Sequence, residues 1–123
     1  MARILVVEDD EDLKEVIGYN LKRRGHEVSF ASDGEEALVK LKTPPDLMLL
    51  DIMLPRLDGF EVCSRMSREP GTSAIPVIFF TARGSSEDFE RARHMHNFAG
   101  YFTKPYATMD VLRHIDKVLK AAS

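Results

Sequence analysis

The chain has 123 residues, of which 44% are hydrophobic and 30% charged, and a formal net charge of -3. That size and balance fit one domain, residues 1–123, with one real core, and with a mild negative charge nothing suggests an electrostatic footprint for nucleic acid. No stretch approaches the roughly 20 apolar residues of a membrane span, the early first strand leads us to expect no signal peptide, and the lone cysteine, Cys63, excludes an internal disulfide and suits a reducing cytoplasm.

Arg3 to Val7 is a short apolar run and predicts the first strand, which ends in acids, Glu8-Asp9-Asp10. Leu13, Val16, Ile17 and Leu21 then recur at helical spacing up to Arg24, and Gly25 stops the helix. Gly18 within it is expected to face solvent. Glu27 to Ala31 alternates as an edge strand does. Asp33-Gly34 signals a second helix from Glu35 to Lys42, which Pro44-Pro45 closes.

Residues 46–59 carry the centre of the argument. Leu47-Met48-Leu49-Leu50 reads as a strand buried on both faces, which would alternate if it were half exposed. It ends in Asp51, and Pro55 and Gly59 force an irregular loop after it. Asp51 either caps the next helix or is a reactive group presented at the carboxyl end of an open sheet. A third helix follows from Gly59 to about Glu69, with Cys63 read as a core residue rather than a reactive thiol. Ile75 to Thr81 predicts the fourth strand, and Ser85-Ser86-Glu87-Asp88 the capped start of a fourth helix running to His96. That helix has a thin apolar face of Phe89, Ala92 and Met95. Gly100 to Thr103 is a short fifth strand followed by Lys104-Pro105, and Val111, Leu112, Ile115, Val118 and Leu119 stripe the last helix.

Five strands alternating with five helices imply an α/β fold, a doubly wound five-stranded parallel sheet with helices on both faces and right-handed crossovers. The flavodoxin-like order 2-1-3-4-5 fits and puts the switch point between strands 1 and 3. Asp9 and Asp10 then meet Asp51 at one end of the sheet. Two like charges about 4 Å apart repel by roughly 4 kcal/mol at an effective dielectric near 20. A hard divalent cation held by carboxylates and water compensates them, and Mg²⁺ commonly sits so beside a phosphate. Lys104 brings a compact positive charge and Thr81 a hydroxyl. No glycine-rich nucleotide loop follows strand 1.

Over its whole length the chain resembles the receiver domain of bacterial response regulators. Val-Glu-Asp-Asp at strand 1, Asp-Ile-Met-Leu-Pro-Arg-Leu-Asp-Gly at strand 3, Phe-Thr-Ala-Arg at strand 4 and Thr-Lys-Pro at strand 5 carry the likeness, in that order and at those intervals. The resemblance implies that Asp51 accepts a phosphoryl group from a sensor histidine kinase or phosphotransfer protein. It makes Asp9, Asp10, Asp51 and the backbone carbonyl of Met53 the ligands of Mg²⁺. It makes Thr81 and Lys104 contacts to the phosphoryl oxygens, and Thr81 with Tyr101 the switch. It suggests a cis peptide between Lys104 and Pro105. The domain so read is not an enzyme but assists its own phosphoryl transfer and dephosphorylation, in the cytoplasm. Its partners are the kinase and a downstream protein or effector domain, met through helix 4, strand 5 and helix 5, with no direct contact to nucleic acid or membrane. Met53, Arg83 and Phe-Thr-Ala-Arg-Gly look most like the receivers fused to winged-helix DNA-binding domains. Either a detached receiver of a transcriptional regulator or a stand-alone receiver acting by protein contact fits.

The family's Gly-Ala-Asp-Asp before the switch aromatic is replaced by Asn97-Phe98-Ala99-Gly100. Both acids are gone, so a mainly monomeric domain is expected. His94 and His96 lie two apart on a helix and face different ways, against a metal pair. Arg91, Arg93 and His94 make either an exposed face or a partner surface. A ligand-binding flavodoxin-like domain and a degenerate receiver are the competing readings. The missing glycine loop opposes the first, and the intact acids, Thr81 and Lys104 oppose the second.

Overall fold

The computed structural model describes residues 2–122. Its elements in chain order are β1 (Arg3–Val7), α1 (Glu11–Arg23), β2 (Glu27–Ala31), α2 (Gly34–Lys40), β3 (Leu47–Asp51), α3 (Gly59–Ser67), β4 (Val77–Thr81), α4 (Ser86–Arg93), β5 (Phe98–Thr103) and α5 (Thr108–Ala122). The strands form one parallel sheet in the order β2-β1-β3-β4-β5, as expected.

The unbroken apolar runs of β1, β3 and β4 have a direct cause. Each strand feeds two cores at once, because successive side chains point to opposite faces. Leu5, Val7, Met48, Leu50, Val77 and Phe79 enter the core on one side. Ile4, Val6, Leu47, Leu49, Ile78 and Phe80 enter the other. The first core is closed by Ala37 of α2, Phe60, Val62, Cys63 and Met66 of α3, and Ala92 of α4. The second is closed by Ile17 and Leu21 of α1 and by Val111, Leu112 and Ile115 of α5.

Gly18 does not face solvent. It is buried, and a Cβ there would run into the Phe30 ring of β2. A glycine costs helix propensity of about 1 kcal/mol, but here it makes the space in which an edge-strand aromatic packs. The apolar face of α1 is rotated accordingly, and Val16 is left half exposed.

β5 begins two residues earlier than its sequence suggests, and it is irregular. Val77 pairs with Phe98 and Ile78 with Gly100, so one extra residue sits in β5. Such a bulge breaks the alternation of a strand. It lets Phe98 and Tyr101 share the first core, while Ala99 and Phe102 join the second. Phe98 then stacks on Phe79 at 6.2 Å between ring centres, and Phe79 lies 6.1 Å from Phe60. The peptide between Lys104 and Pro105 is cis, as the resemblance suggested.

Candidate functional site

The carboxyl ends of the strands place the polar residues. Val7 pairs with Leu50, so the next residues, Glu8 and Asp51, leave adjacent strands side by side. Asp51 is 2% exposed and Glu8 5% exposed, and a buried carboxylate pair needs compensation. Lys104, just past β5, supplies it. Its Nζ lies 2.7 Å from Glu8 Oε1 and 2.8 Å from Asp51 Oδ2. The lysine pKa is raised, because the bonds to Asp51 and Glu8 outweigh the burial that pulls it down. Glu8 is pushed up to about 7, chiefly by burial, with Asp51 raising it further and the Lys104 bond holding it back.

The remaining acceptor sites on these acids are ordered by the backbone. The Met53 amide donates to Asp51 Oδ1 at 2.9 Å, and the Asp10 amide to Glu8 Oε2 at 3.1 Å. The loop after β3 is folded back by the Gly59 amide on the Ile52 carbonyl, 2.9 Å.

Glu8, Asp9 and Asp51 each offer a carboxylate oxygen, and these oxygens lie within 4.8 Å of one another. Three oxygen donors of this kind, two buried and one facing solvent, fit a hard divalent cation that keeps part of its water shell. The structure brings Asp9 and Asp51 together as expected, but it does not bring Asp10. The Asp10 side chain turns the other way and caps α1, with Oδ1 accepting from the Asp12 amide at 3.0 Å and the Leu13 amide at 3.2 Å. Glu8 stands in its place. Two signals in the sequence point to this: an Asp directly before the first helical residue is a capping residue, and Glu8 is the residue in step with Asp51 once the strands are paired.

Thr81 ends β4 and is fully buried. Its hydroxyl donates to the Arg83 carbonyl oxygen at 3.0 Å and accepts from the Arg83 amide at 3.0 Å. Tyr101 packs edge-on against Phe89, with ring centres 5.2 Å apart, and its buried hydroxyl has no hydrogen-bond partner among the described residues. Met53 is 46% exposed beside the acids. A cleft of about 440 Å³ runs from Asp9 past Met53, Pro55 and Asp58 to Arg83 and Arg91. A wider cavity of about 580 Å³, between Leu38, Leu41, Met66 and Thr72, has none of the clustered acids on its walls. His94 and His96 are exposed, and the His94 Nδ1 donates to the Glu90 carbonyl at 2.7 Å.

Comparison with known proteins comes to the same place. A family model described as "Response regulator receiver domain" matches residues 4–116. The chain is 40% identical over 120 residues to the alkaline phosphatase synthesis transcriptional regulatory protein PhoP of Bacillus subtilis, covering 96% of this chain and 48% of that protein. It is 39% identical over 124 residues to the phosphate regulon transcriptional regulatory protein PhoB of Rhizobium meliloti, covering 99% of this chain and 54% of that one. It therefore spans about half the length of these relatives. The receiver domain of the Francisella response regulator 1452 superposes with a TM-score of 0.88 at 26% identity, covering 100% of both chains. Among the described residues, no helix is long and apolar enough to cross a membrane.

Proposed function

We propose, because this chain belongs to the response regulator receiver domain family, that residues 1–123 form one receiver domain in which Asp51 is the phosphoacceptor. Phosphorylation-dependent signalling is the general function of that family. The observation that carries the assignment to Asp51 is the bridge made by Lys104. A buried aspartate ending the central strand is held by a lysine at 2.8 Å, inside a cluster of three acids.

Glu8, Asp9 and Asp51 would hold Mg²⁺, with the backbone carbonyl of Met53 as a further oxygen. When bound, the ion offsets the negative charge gathered between the acids and an incoming phosphoryl group. An oxygen of Asp51 attacks the phosphorus of the donor, and the bond from phosphorus to the donor's nitrogen breaks. Lys104, already paired with Asp51 Oδ2, steadies the growing charge on the transferred oxygens. Aspartyl phosphate leaves about two negative charges where one stood, with strong acceptor oxygens. The Thr81 hydroxyl turns toward them, and Tyr101 moves into the space it leaves. The face of α4, β5 and α5 changes shape with it.

The domain is a phosphoacceptor that assists its own phosphorylation and dephosphorylation, not a turnover enzyme. Its donor is a sensor histidine kinase or phosphotransfer protein in the cytoplasm. Its output passes through α4, β5 and α5 to a downstream protein or to an effector domain of a transcriptional regulator, without direct binding of nucleic acid or membrane. Incubation with acetyl phosphate and Mg²⁺ followed by intact-mass measurement tests the core of this. The expected gain is one phosphoryl group, absent in Asp51→Asn. A stable gain in Asp51→Asn, or none in the unmodified chain, defeats it.

A further inference from the structure

A threonine hydroxyl has a single proton. In Thr81 that proton goes to the Arg83 carbonyl oxygen, at 3.0 Å, so the hydroxyl cannot also donate to an oxygen on Asp51. The bond from Thr81 to the Arg83 carbonyl has to break first. What resists this lies at the other end of Arg83. Its Nε donates to Asp88 Oδ2 at 2.7 Å. Asp88 is only 8% exposed, although it sits in the first turn of α4. Its own amide is held by the Ser85 hydroxyl at 3.1 Å. The guanidinium is 55% exposed and the carboxylate side chain 11%, so the acid is the member that loses its compensation if the pair parts.

Residues 81–88 are thereby closed into a ring of hydroxyl, backbone, guanidinium, carboxylate and helix cap. The next residue, Phe89, carries the ring against which Tyr101 packs at 5.2 Å. The tyrosine itself adds no hydrogen bond to this arrangement, since its hydroxyl has no partner among the described residues.

We propose that the Arg83–Asp88 ion pair is the latch of the resting state, with Asp88 a positioning residue that keeps the Thr81 hydroxyl on the loop and away from Asp51. This rests on the reading that Asp51 is phosphorylated. It goes beyond that reading by naming what the phosphoryl group has to overcome. Loss of the latch raises the share of molecules whose Thr81 is free, and apparent affinity for a phosphoryl mimic rises with that share.

The test uses beryllofluoride with Mg²⁺ as the mimic and NMR of the amides of residues 81–89 and of the Tyr101 ring. Asp88→Asn keeps the size of the side chain and removes its charge. Without mimic, its signals are expected to lie displaced along the line from the resting to the saturated wild-type spectrum, with half-saturation at about three- to tenfold less beryllofluoride. Asp88→Glu, which can keep the pair, should return toward the wild-type positions. A resting Asp88→Asn spectrum that overlays the wild type, or signals that move off the line, overturns the latch. If Asp88→Asn loses its folded spectrum, Arg83→Gln reads the same displacement without mimic from the exposed side of the pair, with the same two outcomes. A wild-type domain that takes up no mimic overturns the phosphorylation reading as well, whereas a responsive wild type beside an unaltered Asp88→Asn overturns the latch alone.

Discussion

Gly100 and His114 share one space: a Cβ on Gly100 would lie 2.5 Å from the Nε2 of His114. The same nitrogen donates to the Ala99 carbonyl oxygen at 2.6 Å, and the imidazole stands edge-on to Phe102 at 5.7 Å. The histidine thus seals the bulge of β5 from the side of α5. Gly100→Ala is expected to lower stability by about 1–3 kcal/mol, the usual range for overpacking a filled site. His114→Ala in the same chain should recover part of that loss. Urea unfolding of the two single variants and the double variant measures it; equal and additive costs would show that the two residues do not compete for the space.

The acids at the end of β1 divide their work. Mg²⁺ is expected to raise the melting temperature, because an ion bound only to the folded chain adds about 2.7 kcal/mol at one hundred times its Kd. Asp9→Ala should abolish that gain, since Asp9 belongs to the cluster. Asp10→Ala should keep it while lowering the starting stability by about 1 kcal/mol through loss of the α1 cap. Thermal scans with and without Mg²⁺ decide the point. A lost Mg²⁺ response in Asp10→Ala would return Asp10 to the site.

Cys63 is fully buried, and its thiol donates to Asn97 Oδ1 at 2.8 Å. Burial pushes its pKa up from 9.0 to about 11, with the Asn97 bond opposing the rise. An acid whose pKa is raised by folding stabilises the fold below its unfolded value, and the contribution is lost as pH climbs through the folded one. The window is therefore pH 9 to about 11. The wild type should lose up to about 3 kcal/mol more stability than Cys63→Ala across it. At pH 8.5 the folded chain should resist iodoacetamide and react only on unfolding. Rapid native labelling would show that the thiol is reachable.

The sheet was legible in the sequence because β1, β3 and β4 are buried on both faces. Their apolar runs announce themselves, and the first polar residue after each run marks the end where a site can form. Asp51 and Thr81 stand at those ends, and Lys104 follows the shorter β5. What escaped depends on pairing rather than on pattern. Glu8 becomes the partner of Asp51 only when Val7 is set beside Leu50, and Asp10 belongs to the helix instead. The bulge at Ala99 and Gly100 breaks the two-residue period, so the sequence pattern starts β5 two residues late. The hold of Arg83 on Thr81 runs through the backbone, which no residue type advertises.

The last prediction concerns assembly across α4, β5 and α5. A twofold contact there needs acids on one copy to meet bases on the other. The acids expected before Tyr101 are replaced by Ala99 and Gly100. The bases of α5 are also partly engaged within the chain: Arg113 pairs with Asp110 at 2.7 Å. Beside them, Asp116 of α5 is taken by Arg24, the residue that caps the end of α1, at 2.5 Å. Exposed ion pairs are worth only about 0–1 kcal/mol each, yet each 1.4 kcal/mol is tenfold in affinity, so a contact built on several of them fails when two are missing. The activated domain should therefore sediment mainly as a monomer at micromolar concentration with beryllofluoride and Mg²⁺. Restoring one acid as Ala99→Asp is the sound repair, because Gly100→Asp would drive its Cβ into His114. A clear shift of the unaltered chain to dimer would show that this face associates without the missing acids.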